Sequence, residues 1–111
     1  MGTYRTSTGE RVTQSQIDGN IRKAKSEFIL EVEPFCSNCG TTGNRLTISH
    51  TLSVDKCKKL GLSDLTWDKN NFNLECMDCH MIWEHSNEEE KSQMKTYENK
   101  CSYLAYVDSI K

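Results

Sequence analysis

From Thr13 onward the apolar residues Ile17, Ile21, Ala24, Phe28 and Val32 recur at steps of four, three, four and four. That spacing lines one face of a helix, so a helix is predicted over residues 13–33, closed by Pro34. Gly19 inside the stripe lowers helix propensity by about 1 kcal/mol relative to Ala, without changing the period. The stripe is read as core packing, and Arg22, Lys23 and Lys25 lie on the more polar side. Ahead of it, residues 1–12 hold turn formers and no period, which predicts a flexible arm.

After the helix the pattern changes. Residues 35–45, FCSNCGTTGNR, are too rich in Gly, Asn, Ser and Thr for a regular element. Leu46-Thr-Ile-Ser-His50 alternates apolar and polar, as a short strand does. Residues 55–60 fit one or two helical turns closed by Gly61. SDLTWDKNNFN reads as a loop anchored by Trp67, a second short strand begins at Leu74, and a helix begins around Cys79. Ser86-Asn-Glu-Glu89 matches a capping box, which predicts a last helix over residues 86–111. There Met94, Tyr97, Cys101, Leu104 and Asp108 share one line, a mostly apolar face suited to docking, on the chain itself or on a protein partner. The fold class is α+β, in one domain spanning residues 1–111.

Composition sharpens this picture. Of 111 residues only 35% are hydrophobic, so the core is small. Small domains with thin cores often need a metal or disulfides to stay folded. The first residues, MGTYRTSTGERVTQ, carry no apolar signal segment, and no later run reaches membrane-spanning length. A cytoplasmic location is therefore expected, with no membrane association. In that reducing setting paired cysteines favour metal over disulfide. Net charge is −2, but it is unevenly spread. Residues 1–30 carry five cations, Arg5, Arg11, Arg22, Lys23 and Lys25, against three carboxylates; residues 61–87 carry one cation against five carboxylates.

CMDCHMIWEH, residues 76–85, admits several chemistries. Haem attachment to Cys-x-x-Cys-His needs a secretory route and an apolar shell, and the chain offers neither. A redox dithiol belongs at a helix start in a βαβ pattern. A zinc protease needs a histidine that is not at the required place. The other pair, Cys36-Ser-Asn-Cys39, decides the matter. Two Cys-x-x-Cys turns separated by 36 residues supply four thiolates for one tetrahedral zinc, at Cys36, Cys39, Cys76 and Cys79. Cys57 and Cys101 stand outside the pairs, Cys101 expected buried and Cys57 partly exposed.

CSNCG, then TISH, then NFNLEC, then CMDCH resembles the HNH endonuclease family, in particular its small zinc-stapled, phage-type members. The resemblance covers residues 35–85. It implies a ββα-metal (His-Me finger) core with structural zinc, flanked here by an N-terminal and a C-terminal helix. It implies a catalytic trio of His50, Asn71 and His80. His50 would be the general base that takes a proton from water near neutral pH. His80 would bind a catalytic divalent ion such as Mg²⁺ or Mn²⁺, with Glu84 one turn along as a second ligand. Asn71 would brace the histidine-bearing loop or approach the metal. His85 lies about 140° around the helix from His80 and is set aside. One position departs from the pattern: Ser49 stands where the family has Asp or His, and a hydroxyl is a poor ligand for a hard cation. Glu84, Asp78 or a water would then fill the gap.

The resemblance thus implies a metal-dependent endonuclease acting on DNA, in the cytoplasm of a host cell if phage-encoded. Arg5, Arg11, Arg22, Lys23 and Lys25 are expected to meet backbone phosphates. The alternative is a catalytically degenerate zinc-binding adaptor, for nucleic acid or protein, on the same scaffold.

Overall fold

The computed structural model describes residues 2–42 and 46–111. Of the irregular stretch 35–45, residues 43–45 lie outside that description. The architecture is α+β, and the elements follow the pattern of the sequence with four corrections.

The first concerns residues 1–12. In place of a flexible arm, strands β1 (Tyr4–Arg5) and β2 (Arg11–Val12) pair antiparallel in a hairpin. Gly9 takes the positive φ of 89° that the turn requires. The hairpin is tied down from afar: both the backbone N–H and the hydroxyl of Ser7 donate to the carboxylate of Asp64. Two-residue strands leave no periodicity to read.

Helix α1 (Gln14–Glu31) begins at Thr13, whose side chain accepts from the Gln16 N–H while the Gln16 side chain accepts from the Thr13 N–H. This reciprocal cap satisfies two otherwise orphaned donors. Ile17 and Ala24 are buried along the expected stripe, and Val32 leaves the helix in extended geometry shortly before Pro34.

Strands β3 (Leu46–His50) and β4 (Phe72–Cys76) pair antiparallel, with Ile48 opposite Leu74, Ser49 opposite Asn73 and His50 opposite Phe72. Side chains alternate across the sheet. Ile48, His50, Phe72 and Leu74 share one face, where the Phe72 ring meets Phe28 of α1 edge-on at 5.5 Å. Thr47, Ser49, Asn73 and Glu75 share the other. Between the strands come α2 (Val54–Lys59), capped by Ser53, and two 3-10 turns, Ser63–Trp67 and Lys69–Asn71. The stretch predicted as plain loop is thus locally helical, and Leu65 is its fully inserted anchor while Trp67 is half-buried.

Helix α3 (Met77–His85) follows β4 without a linker and packs on the sheet. The predicted last helix is two helices, α4 (Glu88–Ser92) and α5 (Tyr97–Ile110). The cap is Asn87 rather than Ser86: its side chain accepts from the Glu90 N–H. The buried line of α5 is Lys100, Tyr103 and Val107, rotated from the predicted stripe, because Tyr103 and Val107 enter the core of Leu52, Cys57, Leu62 and Leu65. Tyr103 also donates its hydroxyl to Asp68 at 2.9 Å. The fourth correction exchanges two cysteines: Cys57 is fully buried in this core, and Cys101 is half-buried. No helix among the described residues is long and apolar enough to cross a membrane.

Candidate metal centre and histidine site

Cys36 and Cys39 lie in the turn after α1, where Gly40 (φ 79°) donates its N–H to the Cys36 carbonyl. Cys76 ends β4, and Cys79 lies in the first turn of α3. The sheet and helix thereby bring both pairs together. All four sulfurs lie within 4.8 Å of one another, and Cys39 and Cys76 are 3.7 Å apart. A tetrahedral zinc with bonds of about 2.3 Å needs sulfurs about 3.8 Å apart. All six cysteines are free, so no disulfide ties up these sulfurs.

The surroundings are shaped for thiolate. The backbone N–H groups of Asn38 and Cys39 point at the Cys36 sulfur, and the Asn38 side-chain amide donates to Cys79 at 3.2 Å. Burial raises the Cys36 thiol, but backbone donors of Cys39, Cys76 and Asn38 outweigh it and bring the pKa down to about 6. Burial pushes Cys79 the other way. Thiols this close do not all ionise alone, and a divalent cation removes that conflict. The donor set, spacing and N–H···S bonds fit zinc.

His50 closes β3. Its Nε2 lies 2.8 Å from the carbonyl oxygen of Thr66. A carbonyl only accepts, so Nε2 carries the proton and Nδ1 keeps its lone pair. Thr66 is fully buried and is fixed by its own hydroxyl donating to the Ser63 carbonyl. The His50 ring stands edge-on to Phe72 at 5.1 Å. Burial lowers the His50 pKa below 6.5; the Thr66 carbonyl opposes, Lys25 adds to the lowering, and Glu84 opposes more weakly.

Asn71, with no exposed surface, braces this arrangement. Its amide donates to the Leu52 and Leu65 carbonyls, and its oxygen accepts from the Leu52 N–H. The segment after His50 and the turn bearing Thr66 are therefore stapled to one side chain.

The expected ion-binding residues are less closely assembled. His80 is half-buried on α3, and its Nδ1 is buried without a hydrogen-bond partner among the described residues. Glu84, Asp78 and His85 are exposed. Among the described residues, the four cysteines are the one group of three or more metal-binding side chains that converges. Ser49 turns away from such a role: it is buried and donates to Glu75 Oε1 at 2.7 Å.

That contact opens a network the sequence did not disclose. Lys100 of α5 reaches the same oxygen at 3.0 Å, and neither the Lys100 nor the Glu75 side chain has exposed surface. The Lys100 ammonium also lies 5.0 Å above the Trp83 ring, whose N–H donates to the Thr51 carbonyl. Burial lowers the Lys100 pKa, and Glu75 opposes that shift. Strand alternation was the available signal, since it places Glu75 and Ser49 on the same inward face.

Of the cations expected to meet phosphate, Arg5, Arg11, Arg22 and Lys23 are exposed and Lys25 is half-buried. Lys25 is the one whose field reaches His50. Compared with known proteins, the chain matches no family model, no curated protein and no solved structure.

Proposed function

We propose that this chain is a small metal-dependent phosphodiesterase of the HNH type, hydrolysing DNA with His50 as general base. The observation that carries this reading is the Nε2–H donation from His50 to the buried Thr66 carbonyl, which leaves Nδ1 neutral and basic. The strand–strand–helix order of β3, β4 and α3 and the convergent cysteines agree with the resemblance. His50 Nδ1 takes the proton of a water that attacks phosphorus opposite the leaving oxygen. Lys25 offers positive charge beside the incoming phosphate, and Asn71 keeps the histidine loop from shifting. His80, through its unpaired Nδ1, and Glu84 would hold a divalent ion, which when bound neutralises charge on the phosphate oxygens. Zinc at the four cysteines is structural.

The test is nicking of supercoiled plasmid with Mn²⁺ present. His50→Ala is expected to slow it by about 10²–10⁴-fold; cutting at the wild-type rate by the variant removes His50 as base.

A second reading, a zinc-binding adaptor without catalysis, is favoured by one observation: Ser49 is committed to Glu75 and Lys100 rather than to a cation. Calorimetry on zinc-loaded protein separates the two. The nuclease binds a second divalent ion that His80→Ala abolishes; the adaptor binds none.

A further inference from the structure

Beside the outer edge of β4, between the end of α1 and the start of α5, lies a pocket of about 330 Å³. Three phenylalanines line it, Phe28, Phe35 and Phe72, together with polar residues that include Thr96 and Asn99. Its size and lining fall within the range of small-ligand sites.

Three features define what it takes. Thr96 is 7% exposed, yet its hydroxyl has no hydrogen-bond partner among the described residues. Buried hydroxyls are normally paired, so a polar ligand group reaching this wall can satisfy the Thr96 hydroxyl, and a purely aliphatic occupant leaves it unpaired. Phe35 lines the pocket and is 39% exposed as a residue, which offers a platform for a flat ring. Glu33 is the one charged side chain in the lining, which repels an anion and suits a neutral heterocycle with amino hydrogens. A planar, neutral, aromatic group with polar edges meets all three conditions.

Its place in the molecule identifies the source of that group. Phe72 is a shared wall, meeting Phe28 at 5.5 Å on the pocket side and the His50 ring at 5.1 Å. A nucleotide with its phosphate at His50 would therefore have this pocket on the far side of the Phe72 ring. We infer that this pocket receives an unpaired nucleobase adjoining the phosphate at His50, so that the preferred substrate is single-stranded or locally opened nucleic acid. The inference rests on the phosphodiesterase reading for the position of the phosphate, and stacking on aromatic side chains for the base.

The experiment is fluorescence anisotropy on the full zinc-loaded chain, at fixed salt and without added Mg²⁺ or Mn²⁺. The probes are a short single-stranded oligonucleotide, the same length of abasic backbone, and the matched duplex. The base-bearing strand is expected to bind about tenfold or more tightly than either other probe. Thr96→Val, which keeps the shape and removes the hydroxyl, is expected to weaken the base-bearing strand about fivefold. Phe35→Ala is expected to weaken it about tenfold. Both variants leave the abasic affinity and the melting temperature unchanged. Equal affinity for base-bearing and abasic strands, or no binding of either, overturns the proposal. So does preferential displacement of the strand by an apolar peptide with no loss in Thr96→Val, which assigns the pocket to a protein side chain. The two readings fail separately: a chain that nicks duplex through His50 but ignores bases loses the pocket, and one that prefers bases but cuts nothing loses the nuclease.

Discussion

Glu75 and Cys76 are neighbours at the end of β4, and alternation sends them to opposite faces of the sheet. Cys76 joins three other sulfurs, two of them from a turn 37 and 40 residues earlier in the chain. Glu75 joins the Lys100 ammonium and the Ser49 hydroxyl. Both faces are thus fastened by groups that water would otherwise hold, but by different physics. The sulfur face is built to draw on an outside ion; a zinc bound there would supply an apparent binding energy of about 10–16 kcal/mol, as large as the stability of a typical domain. The carboxylate face draws only on its own partners, and the attraction within a buried ion pair roughly offsets the desolvation of its members. One fastener is strong and conditional on supply; the other is nearly neutral when complete and expensive when half removed.

The largest expected effect is therefore on the sulfur face. Chelation of zinc, or Cys79→Ser, is expected to abolish cooperative melting, read by circular dichroism, whereas Cys57→Ser leaves the metal content at one zinc per chain by native mass spectrometry. Acidification acts in the same direction, because thiolates must be protonated as the metal leaves. A chelated chain that still melts cooperatively at the original temperature would show that the sulfur cluster carries no stability.

Next comes the other face. Lys100→Met leaves the Glu75 carboxylate buried without its cation, held only by the Ser49 hydroxyl, and urea unfolding is expected to register a loss of about 3–5 kcal/mol. Adding Glu75→Leu to Lys100→Met is expected to recover most of that loss, because the charge left behind is gone. A double variant no better than the single one would mean that Lys100 contributes through packing instead.

The smallest effect concerns pH. His50 lies on the sulfur side of the sheet, so its titration should not respond to the Lys100→Met/Glu75→Leu exchange. Its pKa in the folded chain is below the unfolded value near 6.5. The sign follows: its contribution to stability is complete above 6.5 and is lost as pH falls through the lower folded pKa. The proposed catalysis by neutral imidazole is expected to fall off on the same acidic limb. Lys25→Ala, which removes a nearby cation, is expected to move that limb upward, and proton NMR of the imidazole in wild type and variant measures both shifts.

The parts of this arrangement that were legible beforehand are those written in local spacing. The stripe from Ile17 to Val32, the alternation ending at His50 and the two Cys-x-x-Cys turns each declare themselves within a few residues, because helix, strand and chelate geometry are short-range. What was not legible is long-range or made of backbone. The hairpin before α1 depends on Ser7 meeting Asp64, 57 positions away. Thr66 holds His50 through a carbonyl, which every residue type possesses. Lys100 looks like solvated surface in composition, and only the fold shows it facing Glu75. The α4–α5 break was obscured by a capping pattern one residue from the true cap.

Order of synthesis gives the Glu75–Lys100 pair a further meaning. Cys79 follows Cys76 within three positions, so the fourth sulfur leaves the ribosome almost together with the third. Lys100 comes 25 positions after Glu75. At about 5–20 residues per second, the growing chain carries an unmatched inward carboxylate for about one to five seconds. A metal taken up by the four cysteines would therefore tighten on a nascent chain whose opposite face is still open, and arrival of the last helix is the event that seals it.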